Sequence, residues 1–227
     1  MKAPAPSSAW REALSLVGHE LRRPLTVIRG AATLLLEMED QVPPATRVEL
    51  LGLIDRSVQG MSDLIEDLVL AAHLDAGQVA VSREAVPVDE LLAEVAARFR
   101  RSEPGRSLRT FPAGDAVMVE ADRSHAARAL RALVARALRR SSEDATVEVL
   151  AEIEPDRVRL LVRDQGPEAP GEAEGLFEPS RPGAEQSVAG LGLYVAKGLA
   201  RAMGGDVEAL PGAGGGSTFS FNLIRRV

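Results

Sequence analysis

The chemistry of this sequence concentrates at one histidine and three glycine-bearing stretches. His19 stands in Val17-Gly18-His19-Glu20-Leu21-Arg22-Arg23-Pro24-Leu25-Thr26. An imidazole with one ring nitrogen held by a carboxylate keeps the other free to attack, as an activated nucleophile requires, and Glu20 is the adjacent carboxylate. A lone histidine on a polar helix face is more often simply solvated, so the rest of the chain must decide. Asp164-Gln165-Gly166 closes a strand pattern. Its carboxylate can accept from an exocyclic amine such as that of adenine, and Gly166 lets a flat base approach the backbone. Gly190-Leu191-Gly192-Leu193 opens a helix, whose bare amides suit a phosphate. Gly214-Gly215-Gly216-Ser217-Thr218-Phe219 enters a final strand. An Asp-x-Gly by itself usually marks only a turn. Neither G-x-x-x-x-G-K-[ST] nor G-x-G-x-x-G occurs, which excludes the P-loop and Rossmann readings.

These residues need elements to position them. Leu14, Leu21, Ile28 and Leu35, with Leu25 and Ala32 between, predict a helix from about Ser8 to Asp40, with His19 off its apolar stripe and Pro24 kinking it. Gln41-Val42-Pro43-Pro44 breaks it, with Thr46 placed to start the next. Leu51, Ile54, Val58, Met61, Ile65, Leu68 and Ala72 then form a heptad seam. A two-helix hairpin cannot bury both its faces, so dimerisation into a four-helix bundle is expected. After Leu74–Gln78, Asp89 is placed to cap a third helix. Strands are predicted near Ser107–Phe111, Ala116–Glu120, Thr146–Ile153, Arg157–Arg163 and Thr218–Leu223, and helices over Arg123–Arg140 and Leu193–Met203. The fold class read from this is α+β, an antiparallel helical hairpin followed by an α/β sandwich. The expected division is a tail over 1–8, a hairpin over 9–77, a linker over 78–86 and a second domain over 87–227.

With 227 residues, 45% hydrophobic and 26% charged, the composition is that of an ordinary globular chain with a sizeable core. The net charge of −6 argues against a nucleic-acid or anionic-membrane binder, and the absence of cysteine excludes disulfides and thiolate metal sites. No apolar run is long enough for a membrane span, and a cytoplasmic location is expected.

His-Glu-Leu-Arg-Arg-Pro-Leu resembles the H-box of sensor histidine kinases. The three glycine stretches resemble, in order and spacing, the G1, G2 and G3 boxes of the GHKL-type ATP-binding domain that these kinases share with gyrase-type ATPases and heat-shock chaperones. Leu176-Phe177-Glu178-Pro179 resembles the intervening F-box, with Arg181 in the lid that follows. The resemblance covers about Ala9 to Leu223. It implies that His19 accepts the γ-phosphoryl group of ATP with Glu20 as general base, and that Asp164 reads adenine. Gly166, Gly190, Gly192, Leu193 and Thr218 would line the pocket. It further implies a homodimer, a response-regulator receiver domain as phosphoryl acceptor, and a separate sensor protein to bring the signal.

The sequence departs from that family at defined places. The two asparagines of the N-box, the second a Mg²⁺ ligand, are here Ala132 and Arg136. Arginine has no acceptor and cannot ligate a cation, although Arg136 and Arg139 can meet phosphates directly. No metal ligand is assigned, and the place of Mg²⁺ stays open. The second G1 glycine is Glu168, and Arg23 stands where the family has the Thr or Asn used to dephosphorylate the regulator. The alternative reading is a non-catalytic histidine phosphotransfer protein whose second domain serves for docking. His73 and His125 are assigned no role.

Overall fold

The first stretch of the chain folds as two long helices, α1 (Ser8–Glu37) and α2 (Pro44–Asp75). The structure, a computed structural model, describes residues 8–38, 41–103, 105–114, 117–166, 175–178, 189–212 and 215–226. The predicted tail, up to residue 7, together with Asp40, Glu168, Pro179, Arg181 and Gly214, lies outside them. The described residues divide into two units, one within 8–69 and the other within 70–178 and 189–226.

In the first unit, α1 runs through Pro24 without interruption. Its covered positions include Val17, Leu21, Pro24, Ile28, Ala31 and Leu35, alternating steps of four and three, with Glu20 and the expected Ala32 half-buried beside them. Pro24 and Ala31 fill the half-turns of this stripe, whereas Leu25, expected there, is exposed. The second helix begins at Pro44 rather than Thr46, since proline's fixed φ and missing donor suit a first helical position. The single heptad seam expected on α2 is two. Leu50, Ile54, Ser57, Met61, Leu64 and Leu68 are half-buried. Leu51, Val58 and Ile65, seven residues apart, stand 52%, 48% and 49% exposed.

The second unit begins with the last turns of α2. It continues with β1 (Glu84–Pro87), α3 (Val88–Ser102), β2 (Ser107–Thr110), β3 (Met118–Ala121), α4 (Arg123–Arg140), β4 (Thr146–Ile153), β5 (Arg157–Arg163), α5 (Ala189–Ala202), β6 (Asp206–Pro211) and β7 (Ser217–Arg226). The sheet order is β1-β3-β7-β5-β4-β2, with β6 also paired to β7. All pairings are antiparallel except β2 with β4. β7 is the spine, bonding β5 along one side and β6 and β3 along the other.

The core lies between sheet and helices. Phe219, Phe221 and Leu223 of β7 meet there with Leu91 of α3, Leu130 and Leu133 of α4, and Leu199 of α5, all fully buried. Each such side chain contributes about 1.5–3 kcal/mol on burial. Asp122 caps α4, accepting from the His125 amide at 3.1 Å. It also accepts from the Ser82 amide, and His125 Nε2 lies 3.1 Å from Ala80 O, so the segment leading from α2 is fastened to the start of α4. Asp89 does not cap α3. Pro87 holds that position, and the Asp89 carboxylate instead accepts from the amides of Ala113 and Gly114.

Candidate functional site

Asp164 follows β5 directly and is 4% exposed. Its amide donates to Ser217 O at 2.9 Å, and the Ser217 amide donates back to Asp164 Oδ1 at 3.0 Å. Gly166 donates to the same oxygen at 2.9 Å. Oδ1 is thereby engaged by two amides, while Oδ2 is buried with no hydrogen-bond partner. A buried acceptor left unpaired costs about 1–3 kcal/mol, more when charged, and a donor that reaches it recovers that energy.

Two glycines make this arrangement possible. A Cβ on Gly166 would lie 2.8 Å from Arg140 O, so α4's last turn presses on the loop from below. Gly216 has φ +77°, and a Cβ there would lie 2.4 Å from Asp164 O. Gly216 and Ser217 were not singled out as site residues in the sequence reading. The signal was the glycine run before a strand, but which of its members touches Asp164 depends on the β5–β7 register, in which Arg163 pairs with Thr218. Thr218 is buried beside them.

Ser141, past the end of α4, donates its hydroxyl to Ala137 O and accepts weakly from the Gln165 amide at 3.4 Å. Arg106 donates to the carbonyls of Leu138 and Ser141. The Gln165 contact ties the loop carrying Asp164 to the C-terminal end of α4, and the Arg106 bonds tie the segment before β2 to the same end. Gly190 lies in the first turn of α5, with Gly192 and Leu193 buried behind it. The first amides of a helix have no partner within it and point out along its axis, as an anion site requires. Glu178 O lies 3.7 Å from where a Gly190 Cβ would be, and the Phe177 ring sits 4.5 Å under Lys197 Nζ of α5. Lys197 is itself held by Val207 O at 2.6 Å and Asp206 at 3.4 Å. Arg136 is half-buried and Arg139 exposed on the last turns of α4. Arg181 lies outside the described residues.

His19 and Glu20 belong to the first unit. The imidazole is exposed on α1, as its place off the apolar stripe predicts. Its Nδ1 is met by Arg22 Nη1 at 3.3 Å, whereas the sequence suggested Glu20 as the partner of one ring nitrogen. The reach is one turn along the helix, and Arg22 is placed by a helix backbone whose carbonyl also takes the Thr26 hydroxyl at 2.9 Å. Among the described residues no group of three His, Cys, Asp or Glu could hold a metal ion. No helix of the described residues is long and apolar enough to cross a membrane.

Comparison with known proteins places both halves. Residues 9–77 match the family model of the His Kinase A (phospho-acceptor) domain, and residues 121–226 that of the histidine kinase-, DNA gyrase B-, and HSP90-like ATPase. The chain belongs to the histidine kinases, as their catalytic core. The sensor protein KdpD of Mycobacterium tuberculosis is 34% identical to this kinase core over 224 residues, 94% of the chain and 26% of KdpD. The chain therefore spans about a quarter of that relative's length. The structure of full-length ShkA in complex with AMPPNP matches with a TM-score of 0.63 at 27% identity, over 96% of this chain and 46% of ShkA. Histidine kinase ThkA, solved in complex with response regulator protein TrrA, matches with a TM-score of 0.61 over 96% of this chain and 64% of ThkA. At 22% identity that likeness is one of fold. The kinase core is thus a helical hairpin followed by an α/β ATP-binding domain.

Proposed function

We propose that this kinase core binds ATP with its adenine at Asp164 and transfers the γ-phosphoryl group to His19, from which it passes to an aspartate of a response regulator. The observation that carries the reading is the buried, unpartnered Oδ2 of Asp164, an acceptor held ready for an amine within a domain of the ATPase family. The helix N-terminus at Gly190 supplies amides for the phosphates, and Thr218, Gly166, Gly192 and Leu193 shape the walls. In the transfer a ring nitrogen of His19 bonds to the γ-phosphorus and the bond to the β,γ-bridging oxygen breaks. ADP leaves, and the ring proton passes to Glu20.

The Arg22 contact gives this step a tautomeric logic. A guanidinium only donates, so Nδ1 accepts and the ring proton sits on Nε2. Exchanging Arg22 for the Glu20 carboxylate at Nδ1 moves the proton there and frees the Nε2 lone pair for attack. The apolar row Leu51, Val58 and Ile65 on α2 supports a homodimer, since half-exposed aliphatics at heptad spacing gain burial only from a second chain.

The test is labelling with ATP carrying an isotope in its γ-phosphoryl group. The label is expected to be acid-labile and alkali-stable, as a phosphoramidate is, and absent from His19→Gln. Glu20→Gln should slow labelling on the order of 10²-fold. Label surviving in His19→Gln would place the nucleophile elsewhere.

A further inference from the structure

Kinship with histidine kinases implies a divalent cation between the nucleotide phosphates and the helix here called α4. The donor set of α4 does not fit one. From Ala126 to Arg140 the helix is built only of Ala, Arg, Leu and Val, so no side chain along that stretch carries an oxygen; the hydroxyl of Ser124, in the first turn, donates to the Asp122 carboxylate. Divalent magnesium is bound through oxygen ligands in a near-octahedral shell, and an arginine offers donors alone.

What α4 does offer is positive charge, and its position relative to the pocket is fixed by a backbone contact. Gly166 rests against the main chain of Arg140, which makes the last turns of α4 the floor beside Asp164. Arg136 is four residues back, on the same half-buried side of the helix, one turn further from the base site. A nucleotide whose base reaches Asp164 carries its phosphates outward from there, toward the first turn of α5, which packs beside α4. A guanidinium in this setting bonds phosphate oxygens bidentately and neutralises them directly. It also repels a dication that would occupy the same space, more strongly as the site excludes water.

Resting on the ATP-binding reading, we propose that Arg136 supplies the counter-charge for the polyphosphate, so that this core binds nucleoside di- and triphosphates without a divalent cation. In solution Mg²⁺ associates with the same phosphate oxygens. Added magnesium should then leave affinity unchanged or lower it, because the metal complex must be stripped or accommodated against Arg136.

The experiment is calorimetric titration of the whole chain with ADP and with AMPPNP, in excess MgCl₂ and in EDTA. For the parent, affinity in EDTA is expected to equal or exceed that in magnesium. Arg136→Asn removes the charge and adds an oxygen. It should bind roughly tenfold or more weakly in EDTA, the worth of a charge-assisted bond, and recover when magnesium is added. Arg136→Met keeps an aliphatic stem but has neither charge nor oxygen ligand. It should bind weakly in both conditions, and it carries the test if the Asn variant does not fold. Arg136→Lys should stay magnesium-independent. A parent whose affinity rises about tenfold or more on adding magnesium would overturn the proposal and leave the nucleotide site standing. Absence of nucleotide binding in both conditions would overturn the ATP-binding reading and the proposal with it.

Discussion

Replacing Asp164 by Asn tests the pocket at a single atom. The carboxylate uses Oδ1 for the amides of Gly166 and Ser217 and holds Oδ2 buried and unpartnered. An asparagine can take only one orientation there. Turning its NH₂ toward two amides would face donor to donor twice, so its oxygen must replace Oδ1 and its nitrogen must replace Oδ2. The backbone anchors survive in neutral form, weaker than their charge-assisted originals but still made. At the other position a donor now confronts the adenine amine. A hydrogen bond to a charged acceptor is worth about 1.5–3 kcal/mol, so ADP and ATP affinity should fall together by roughly 10- to 150-fold. The loss should be specific to the amine. For a 6-oxopurine such as IDP the new NH₂ meets a carbonyl, so the ratio of ADP to IDP affinity should fall further than ADP affinity alone predicts. Calorimetric titration of both nucleotides against parent and variant reads this directly, with thermal melting to confirm the fold. Equal ADP affinity in the two proteins would show that Oδ2 reads no base, and the account of this site would be wrong.

On the proposed homodimer, Ile65→Asp should convert dimers to monomers with little effect on the melting of the single chain, because Ile65 is half-exposed there. Burying the charge there costs ~3 kcal/mol or more, and a parent that sediments as a monomer would refute the interface. Tyr194 is the sole tyrosine, so absorbance at alkaline pH reports it alone. Burial first, then its hydrogen bond to the Asp75 carboxylate at 2.8 Å, push its pKa up to about 12. Because the folded value lies above the unfolded one, the contribution to stability is complete below about pH 10 and is lost as pH rises through about 12. Ionisation near pH 10 in the folded protein would mean that the contact between the end of α2 and α5 is not made.

The sequence shows most plainly what depends on local periodicity. Val147 and Val149 in β4 and Val158, Leu160 and Val162 in β5 recur at every second position, and both strands run as expected. The helix over Arg123–Arg140 likewise follows its apolar face. β1 and β6 were missed because each has one fully buried side chain, Val86 or Val207, and a proline at its end. Only pairing to β3 and β7 makes them strands. On α2 one apolar pattern held two faces, and telling Met61 from Ile65 needs the angle at which the helix meets its neighbours. At the site the residue types of His19 and Asp164 were legible from motif order. The hand of Arg22 on the imidazole and the grip of Ser217 on Asp164 were not, since the first is a rotamer choice and the second joins residues 53 apart in sequence.

The place of β7 in the sheet sets a timetable for synthesis. The strand that bonds β3, β5 and β6 is the last of them to emerge from the ribosome. Until Ser217–Arg226 has emerged, β5 has one edge bare and β6 lacks its partner in the sheet. The loop at Asp164 also lacks the Ser217 amide and carbonyl that fix it. The helical hairpin, built from local contacts, can form long before. The nascent chain therefore carries an exposed His19 before the loop at Asp164 is fixed, and the long-range closure that fixes it is the slow, aggregation-prone step. A chain stalled or cut anywhere before Ser217 would display His19 together with an Asp164 loop that lacks its anchors.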